Sequence, residues 1–494
     1  MTPASADVLA VPSPCNGERE DGASGEPIEV GKTAGGRRAW SAKRAALTTT
    51  GTNVVISVLG MCTGVMAARL FGPKGRGELA AIQAWPNALG SLGLLGTAEA
   101  LVYFCVRERE QRGSYMSASL LIASAGALIC SFAGFVAMPW LLKAQSPSVI
   151  WGARIFLLQI WLYLVLAMPT EVLRAAGRFF AWNAIRVCPI VLWTAVLVAA
   201  WFEGSSNPVL IACASVMLSW IILPAVAVLV HSEVPKLALP SRAQLAQILR
   251  FGVPAMCAFV PQIMNLKLDQ ILMAGLMPPM VLGQYVVGVA WSNAGMPFVH
   301  GLALVVVPDL AGRADAASQG EALARVSRMA ILMGALIALG LLASAPLGIP
   351  FFFGARFRPA VRAAEILTLA GVVAGFNLVL SEGMRGLGRP VAALRAELLA
   401  LAVTAGGLWL FLRPFGILGA AIVSLAAYSC TALWLIAEAR AATGVSMMDL
   451  AVPRWPDFRL LVDNLCETVK ASTGQIRAIR THEMERAASA AEKY

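Results

Sequence analysis

Charge is scarce in this chain. Only 14% of its 494 residues are Asp, Glu, Lys or Arg, against about 25% in soluble globular proteins. Histidine is scarcer: His231, His300 and His482 stand too far apart in sequence for a metal cluster. The nine cysteines show no pair spacing and no C-x-x-C, so neither a zinc site nor a disulfide framework is implied. Most fall in apolar stretches, where Cys behaves as a small hydrophobe. Period-two alternation is missing, which disfavours a β-barrel. A cleavable signal peptide is not expected either, because residues 1–36 are polar and rich in Gly, Pro, Ser and Glu. Gly31-Lys32-Thr33 ends like a phosphate-binding loop, but Glu26 stands where its first Gly belongs and no strand precedes it. No catalytic residues, metal, cofactor or nucleic-acid partner are called for.

Apolar side chains make up 58% of the chain, too many for a core that must also present a polar surface. Lipid is the simplest solvent for them. A crossing needs about 20 mostly apolar residues at a rise of about 1.5 Å each. Twelve stretches qualify: 46–68, 79–104, 117–138, 151–172, 182–202, 208–230, 251–276, 281–307, 328–350, 361–381, 391–412 and 416–437. Each should be a helix, since lipid offers the backbone no partners. Arg37, Arg38, Lys43 and Arg44 precede the first stretch and predict a cytoplasmic N-terminus, hence a cytoplasmic C-terminus. The inner loops then carry more Arg and Lys than the outer loops, although Arg69, Lys74 and Arg76 fall in the first outer loop and Arg356, Arg358 and Arg362 in another.

The chain repeats itself. At an offset of 206 residues, Arg44 falls on Arg250, Leu70-Phe71-Gly72-Pro73 on Leu276-Met277-Pro278-Pro279, Gly77 on Gly283, and Ala84-Trp85-Pro86-Asn87-Ala88 on Ala290-Trp291-Ser292-Asn293-Ala294. At an offset of 211, Glu171, Arg174, Gly177 and Arg178 fall on Glu382, Arg385, Gly388 and Arg389, both reading E-x-x-R-x-x-G-R. Six is even, so two six-helix halves enter the membrane from the same side and form parallel repeats. Transporters built this way bind substrate between the halves. The expected organisation is a cytoplasmic arm (1–43), a first half (44–230), a linker (231–250), a second half (251–437) and a tail (438–494). In the tail, 456–470 places Phe458, Leu461, Val462, Leu465 and Val469 on one helical face. That helix suits either the cytoplasmic leaflet or the bundle itself.

Residues 44–437 resemble the oligosaccharide flippases of the multidrug/oligosaccharidyl-lipid/polysaccharide exporter superfamily, the Wzx-like polysaccharide biosynthesis proteins. The resemblance rests on Ala68-Arg69-Leu70-Phe71-Gly72-Pro73 with Gly77, Leu249-Arg250-Phe251-Gly252-Val253-Pro254, Leu268-Asp269-Gln270-Ile271-Leu272, Leu282-Gly283-Gln284-Tyr285 and Gly386-Leu387-Gly388-Arg389-Pro390. It implies an all-α membrane protein of about twelve helices in two six-helix bundles around a central cavity. It also implies a lipid-linked oligosaccharide, on undecaprenyl pyrophosphate, carried across the bacterial inner membrane for surface polysaccharide synthesis. Multidrug exporters and the lipid II flippase share the architecture. The family's Asp-Arg after the seventh helix reads Asp269-Gln270 here, so that Arg has no counterpart.

Moving a pyrophosphate through hydrocarbon requires cationic partners. The repeated arginines Arg44 and Arg250, Arg174 and Arg385, and Arg178 and Arg389 are candidates at the cytoplasmic mouth. Fixing orientation and snorkelling to headgroups fits the same six. Sugars need neutral hydrogen-bonding groups and aromatic faces, which Trp85, Asn87, Trp291 and Asn293 could supply from mid-depth; bonds between helices are the other reading. Glu99, Lys267, Asp269 and His300 are ionisable residues inside crossings. Of these, Glu99, Asp269 and His300 are candidates for ion coupling. Alternatives to flipping are small-molecule export, a membrane enzyme, or a partner that recruits other polysaccharide-assembly proteins through its basic tails.

Overall fold

A computed structural model describes residues 32–234, 236–313, 315–461 and 463. Residues 32–46 are helical and belong to a separate N-terminal unit; residues from 47 onward form the other. The described residues are helical throughout, without strands. Eight helical stretches are long and apolar enough to cross a membrane. Two of them, Thr48–Arg107 and Pro390–Thr443, are 60 and 54 residues long and hold two crossings each. The first is broken at Gly72 (φ 64°, ψ −175°) and the second at Gly416 (φ 54°, ψ −130°).

Those eight stretches supply ten crossings. The seventh and eighth complete the twelve, and each comes in two pieces. Arg242–Asn265 is followed by Leu268–Leu276, with the helix interrupted at Leu266 and Lys267. Pro279–Ser292 is followed by Met296–Ala311, with a tighter turn at Asn293–Gly295. The apolar stretches predicted here are therefore occupied as expected, but by broken helices. Irregular backbone at membrane depth is tolerated only where protein or a wet cavity receives its polar groups.

The crossings define two faces. The near face holds the turns around 108–111, 176–178, 232–234, 236–241, 312–313 and 387–389, and the end of the twelfth crossing at Thr443. The far face holds those at 72, 142–146, 204–207, 277–278, 354–359 and 416. Lipid tails supply little hydrophobic drive between helices, so close packing through small residues holds a bundle together. The eleventh crossing shows this: Ala392, Ala396, Ala400 and Thr404 recur every fourth residue and are all buried, while Leu398, Leu399 and Trp409 stay exposed. One apolar cluster runs through the first half and into the second along Met273, Leu282, Tyr285 and Val286. Two more, around Leu380 and around Trp291, belong mainly to the second half.

The tail begins with Met447–Ala451 and a further turn at 455–461. Asp457, 4% exposed, accepts hydrogen bonds from Arg328 of the ninth helix at 2.6 and 3.2 Å, and Arg328 also donates to the Asp449 carbonyl at 2.6 Å. This part of the tail is docked on the bundle. Val462, Leu465 and Val469 lie outside the described residues.

Candidate substrate cavity

The repeat seen in sequence is a repeat in structure. Glu171 pairs with Arg174 on one turn of helix, and Glu382 with Arg385 on its counterpart. Both helices then end the same way. Gly177 (φ 79°) and Gly388 (φ 73°) take the left-handed conformation that closes a helix. Arg178 N–H donates to the Leu173 carbonyl at 2.9 Å, and Arg389 N–H to Met384 at 2.8 Å. Gly177 and Gly388 donate to the Arg174 and Arg385 carbonyls, each at 3.0 Å. E-x-x-R-x-x-G-R is therefore a Schellman cap, with arginines where the helix dipole favours positive charge.

The two halves meet at the paired glycines. A Cβ on Gly77 would lie 1.7 Å from the Pro279 carbonyl oxygen, and a Cβ on Gly283 would lie 1.9 Å from that of Pro73. Backbone touches backbone, so only Gly fits either place. Nearby on the far face, Arg69 of the first half donates to the Phe352 carbonyl at 2.7 Å and to that of Phe351. Gln145 donates to the Ala274 and Met277 carbonyls at 2.8 and 3.1 Å. The near face is closed as well. Gly96 sits against Gly252. The Tyr103 and Phe251 rings stack 4.9 Å apart, Tyr115 Oη lies 2.9 Å from Gln247 Oε1, and Gln244 donates to Gln111 and Ser114 at 2.8 Å each.

Between these closures lies a cavity of about 380 Å³. The second crossing contributes Arg76, Gln83, Asn87 and Ser91, and the seventh and eighth contribute Lys267, Gln270 and Asn293. Among the described residues it is lined by two cations, four side-chain amides and no carboxylate. Lys267 stands at the break in the seventh crossing, where the helix leaves its axis. Arg76 comes from what reads in sequence as an outer loop. The second helix instead resumes at Pro73, directly after the Gly72 kink, and carries Arg76 one turn in. A second cavity, about 20 Å³ between Ser292, Val299, Ile337 and Thr368, is apolar in character and holds no charge.

The W-x-N repeat divides its labour. Asn87 and Asn293 both line the cavity. Trp85 and Trp291 do not: Trp85 packs against the first-half core, and Trp291, 4% exposed, donates from Nε1 to the Leu341 carbonyl at 3.2 Å. The repeated arginines sit on the near face, and three of them already carry carboxylates. Arg174 bonds Glu99 at 3.1 Å as well as Glu171, Arg178 lies 3.6 Å from Glu233, and Arg385 pairs with Glu382. Arg250 and Arg389 are exposed. Arg44 lies outside the residues whose side chains are described.

Glu99 thus serves Arg174. His300 is exposed. Asp269, 7% exposed, faces away from the cavity, where it accepts from the Tyr285 hydroxyl and from the Gln270 N–H at 2.6 Å. Glu397, which sequence reading passed over, is likewise buried in the second half. It accepts from Asn265 at 3.3 Å, and Thr404 donates to that same Asn265 at 2.8 Å. Arg76, Gln83, Ser91 and Gln270 of the cavity were also passed over, as was Arg186 of the fifth crossing, bonded to Asn53 and Asn183 at 2.9 and 3.2 Å. A lone Arg inside an apolar stretch was the signal that could have found it.

No curated protein sequence matches the chain significantly. Among solved structures, a lipid II flippase MurJ in an inward closed conformation is similar in fold. It has 14% identity and a TM-score of 0.63 over 79% of this chain and 87% of its own. A MATE family multidrug resistance transporter of the MOP superfamily, inward-facing, is similar at 16% identity and a TM-score of 0.57, over 81% of this chain and 96% of its own. A eukaryotic MATE transporter matches at 14% identity and a TM-score of 0.57, over 83% and 98%. The sequence profile of the polysaccharide biosynthesis proteins matches residues 42–312, more than half of the 494 residues. With twelve crossings in two repeated halves, this chain is a multi-pass membrane protein that belongs to the polysaccharide biosynthesis protein family.

Proposed function

We propose that the protein is a flippase for oligosaccharide linked to a polyprenyl (undecaprenyl) pyrophosphate. It would carry the headgroup from the cytoplasmic to the periplasmic leaflet of the inner membrane, with the near face cytoplasmic. The observation that carries this reading is the lining of the cavity. Arg76 and Lys267 offer positive charge to a cavity whose described lining holds no carboxylate, although Asp269 behind the wall acts electrostatically on Lys267; such a lining suits a diphosphate. Gln83, Asn87, Gln270 and Asn293 offer neutral donors and acceptors, which suit sugar hydroxyls. A cationic drug would find repulsion there, so the exporter reading is the weaker one.

The volume fits a diphosphate with its adjoining sugar. Small-molecule pockets run from about 300 to 1,000 Å³, and a longer oligosaccharide must reach in through an opened face. Both faces are closed in this conformation, so transport needs each to open in turn about the glycine contacts. The prenyl tail stays in lipid and asks nothing of the cavity. Catalysis has no part in this scheme.

The test is a deletion strain with its lipid-linked oligosaccharides assigned to a leaflet. Accumulation of complete units on the cytoplasmic leaflet, restored to normal by the intact gene but not by Lys267→Gln at equal expression, is the expected result. Normal pools and normal surface polymer in the deletion strain would refute the reading.

A further inference from the structure

Arg186 is the charged side chain that the cavity does not use. It lies inside the fifth crossing, Phe179–Glu203, seven residues from the helix start and so about 10 Å in from the near face. Charge at such depth is costly without partners or water. Its hydrogen-bond partners are neutral: Asn53 Oδ1 at 2.9 Å and Asn183 Oδ1 at 3.2 Å, with one face of the guanidinium 4.4 Å from the Trp182 ring centre; the Glu171 carboxylate, paired with Arg174, acts on it only from beyond ion-pair distance. No carboxylate among the described residues lies within ion-pair distance of it, in contrast to Arg174, whose guanidinium lies 5.8 Å from the same ring centre. A guanidinium has five N–H donors; two are bonded here, and the group is only half-buried.

Two comparisons give this meaning. The first is with the other half. At the offset of 211 that aligns Glu171 with Glu382, Arg186 falls on Glu397. Both contact the first helix of their own half, Arg186 through Asn53 and Glu397 through Asn265. The fold therefore accepts either sign at this place, and positive charge is not what packing demands. The second comparison is depth. Lys267 lies nine residues before the far-face end of its crossing, about 14 Å from that end, and Arg76 three residues after Pro73, about 5 Å from it. In a hydrocarbon core about 30 Å thick, Arg186, Lys267 and Arg76 stand at successive depths from near face to far.

We propose that Arg186 is a phosphate-binding residue of the first half, the position at which the substrate's diphosphate is held before it reaches Lys267 and Arg76. This rests on the flippase reading. The chemistry recognised is a phosphate ester, whether of the carried lipid or of a phospholipid headgroup.

The experiment uses the full chain in phosphatidylcholine nanodiscs, titrated with inorganic pyrophosphate. The fluorescence change lost in Trp182→Phe isolates the signal of that ring, while calorimetry reports total binding. The loading role predicts a Trp182 response whose midpoint rises at least tenfold in Arg186→Gln and only a few-fold in Arg186→Lys, with Lys267→Gln leaving it unchanged. Asn53→Asp keeps the hydrogen bond but neutralises the cation in place, so it must lose the response too. This decides the matter even if Arg186→Gln does not fold. A response that survives Arg186→Gln or Asn53→Asp overturns the proposal. So does a response produced by phosphatidylglycerol in the nanodisc that pyrophosphate cannot displace, which would make this a headgroup site. Calorimetric binding that depends on Lys267 but not on Arg186 removes Arg186 and leaves the cavity reading intact. No pyrophosphate binding to the unaltered protein removes both.

Discussion

The glycine contact on the far face can be forced apart by one methyl group. In Gly77→Ala the new Cβ would lie 1.7 Å from the Pro279 oxygen, whereas ordinary contacts begin at 3.4 Å. The second and eighth crossings must therefore separate by roughly the difference, about 1.7 Å, because the obstacle is backbone and cannot rotate away. Gly283→Ala meets the Pro73 oxygen at 1.9 Å and demands nearly the same movement. Overpacking of this kind costs about 1–3 kcal/mol. At about 1.4 kcal/mol per tenfold, the closed-to-open ratio at the far face should fall by roughly 5- to 150-fold. Spin labels on Ser148→Cys and Arg358→Cys, exposed positions on the far face of the two halves, would read the separation by pulsed electron resonance. Each alanine variant should add population at longer distances. Gly64→Ala, whose Cβ meets nothing within 4 Å, is the control and should not. Unchanged distances and unchanged transport in both Gly77→Ala and Gly283→Ala would refute the idea that this contact holds the far face shut.

The near face should respond with the opposite sign. Gly252→Ala puts a Cβ 2.7 Å from the Leu95 oxygen, so labels across the near face should move apart while those across the far face stay; solvent labelling of Tyr103 and Phe251 gives an independent check. Arg76→Gln and Lys267→Gln should each reduce transport at least tenfold without changing expression, as measured by leaflet assignment of the lipid-linked pool. Asp457 supplies a pH dependence. Burial pushes its carboxyl up, but the hydrogen bonds from Arg328 and from the Arg454 N–H outweigh this and hold it below the usual carboxylate range. A depressed folded-state value means that the tail contact is at full strength above about pH 4 and is lost as pH falls below that. Protease sensitivity of the 444–461 segment should rise in acid, and Asp457→Asn should show the same sensitivity at pH 7. Removing either cap glycine, Gly177→Ala or Gly388→Ala, should cost on the order of 1 kcal/mol through left-handed strain, seen as a lower melting temperature.

The parts of this architecture that were legible in the sequence are those with a local chemical cause. E-x-x-R-x-x-G-R could be aligned across the halves because a helix C-terminus selects Gly for conformation and Arg for the dipole, whatever lies beyond. Asn87 and Asn293 could be placed at mid-depth because the crossings around them are continuous apolar runs. Tertiary facts were less visible. The break at Leu266 and Lys267 falls in a polar run, Gln262, Asn265, Lys267, Asp269 and Gln270, which reads equally as side chains on a continuous helix; Pro254 and Pro261 lie within the helix and not at the break. Arg76 follows a Gly-Pro pair that reads as a loop, yet Pro suits the first turn of a helix and the helix resumes there at once. The repeated arginines drew attention by recurrence, but recurrence marked the cap. The cations of the cavity, Arg76 and Lys267, do not repeat, since Arg76 falls on Leu282 at the offset of 206.

The reciprocal fit of Gly77 and Gly283 has the form of a homodimer interface, in which residue i of one subunit meets j of the other and j meets i. A reciprocal contact of this kind belongs at a two-fold axis, which for parallel repeats runs along the membrane normal. A six-crossing protein carrying one such glycine could dimerise through it, and joining two copies end to end would demand no inversion, because six crossings return the chain to the side it left. Once joined, the copies are free to diverge everywhere except at the axis, where each half is the other's template. Arg186 and Glu397, at corresponding places away from the axis, have exchanged sign; Gly77 and Gly283 could not change at all without their partner moving.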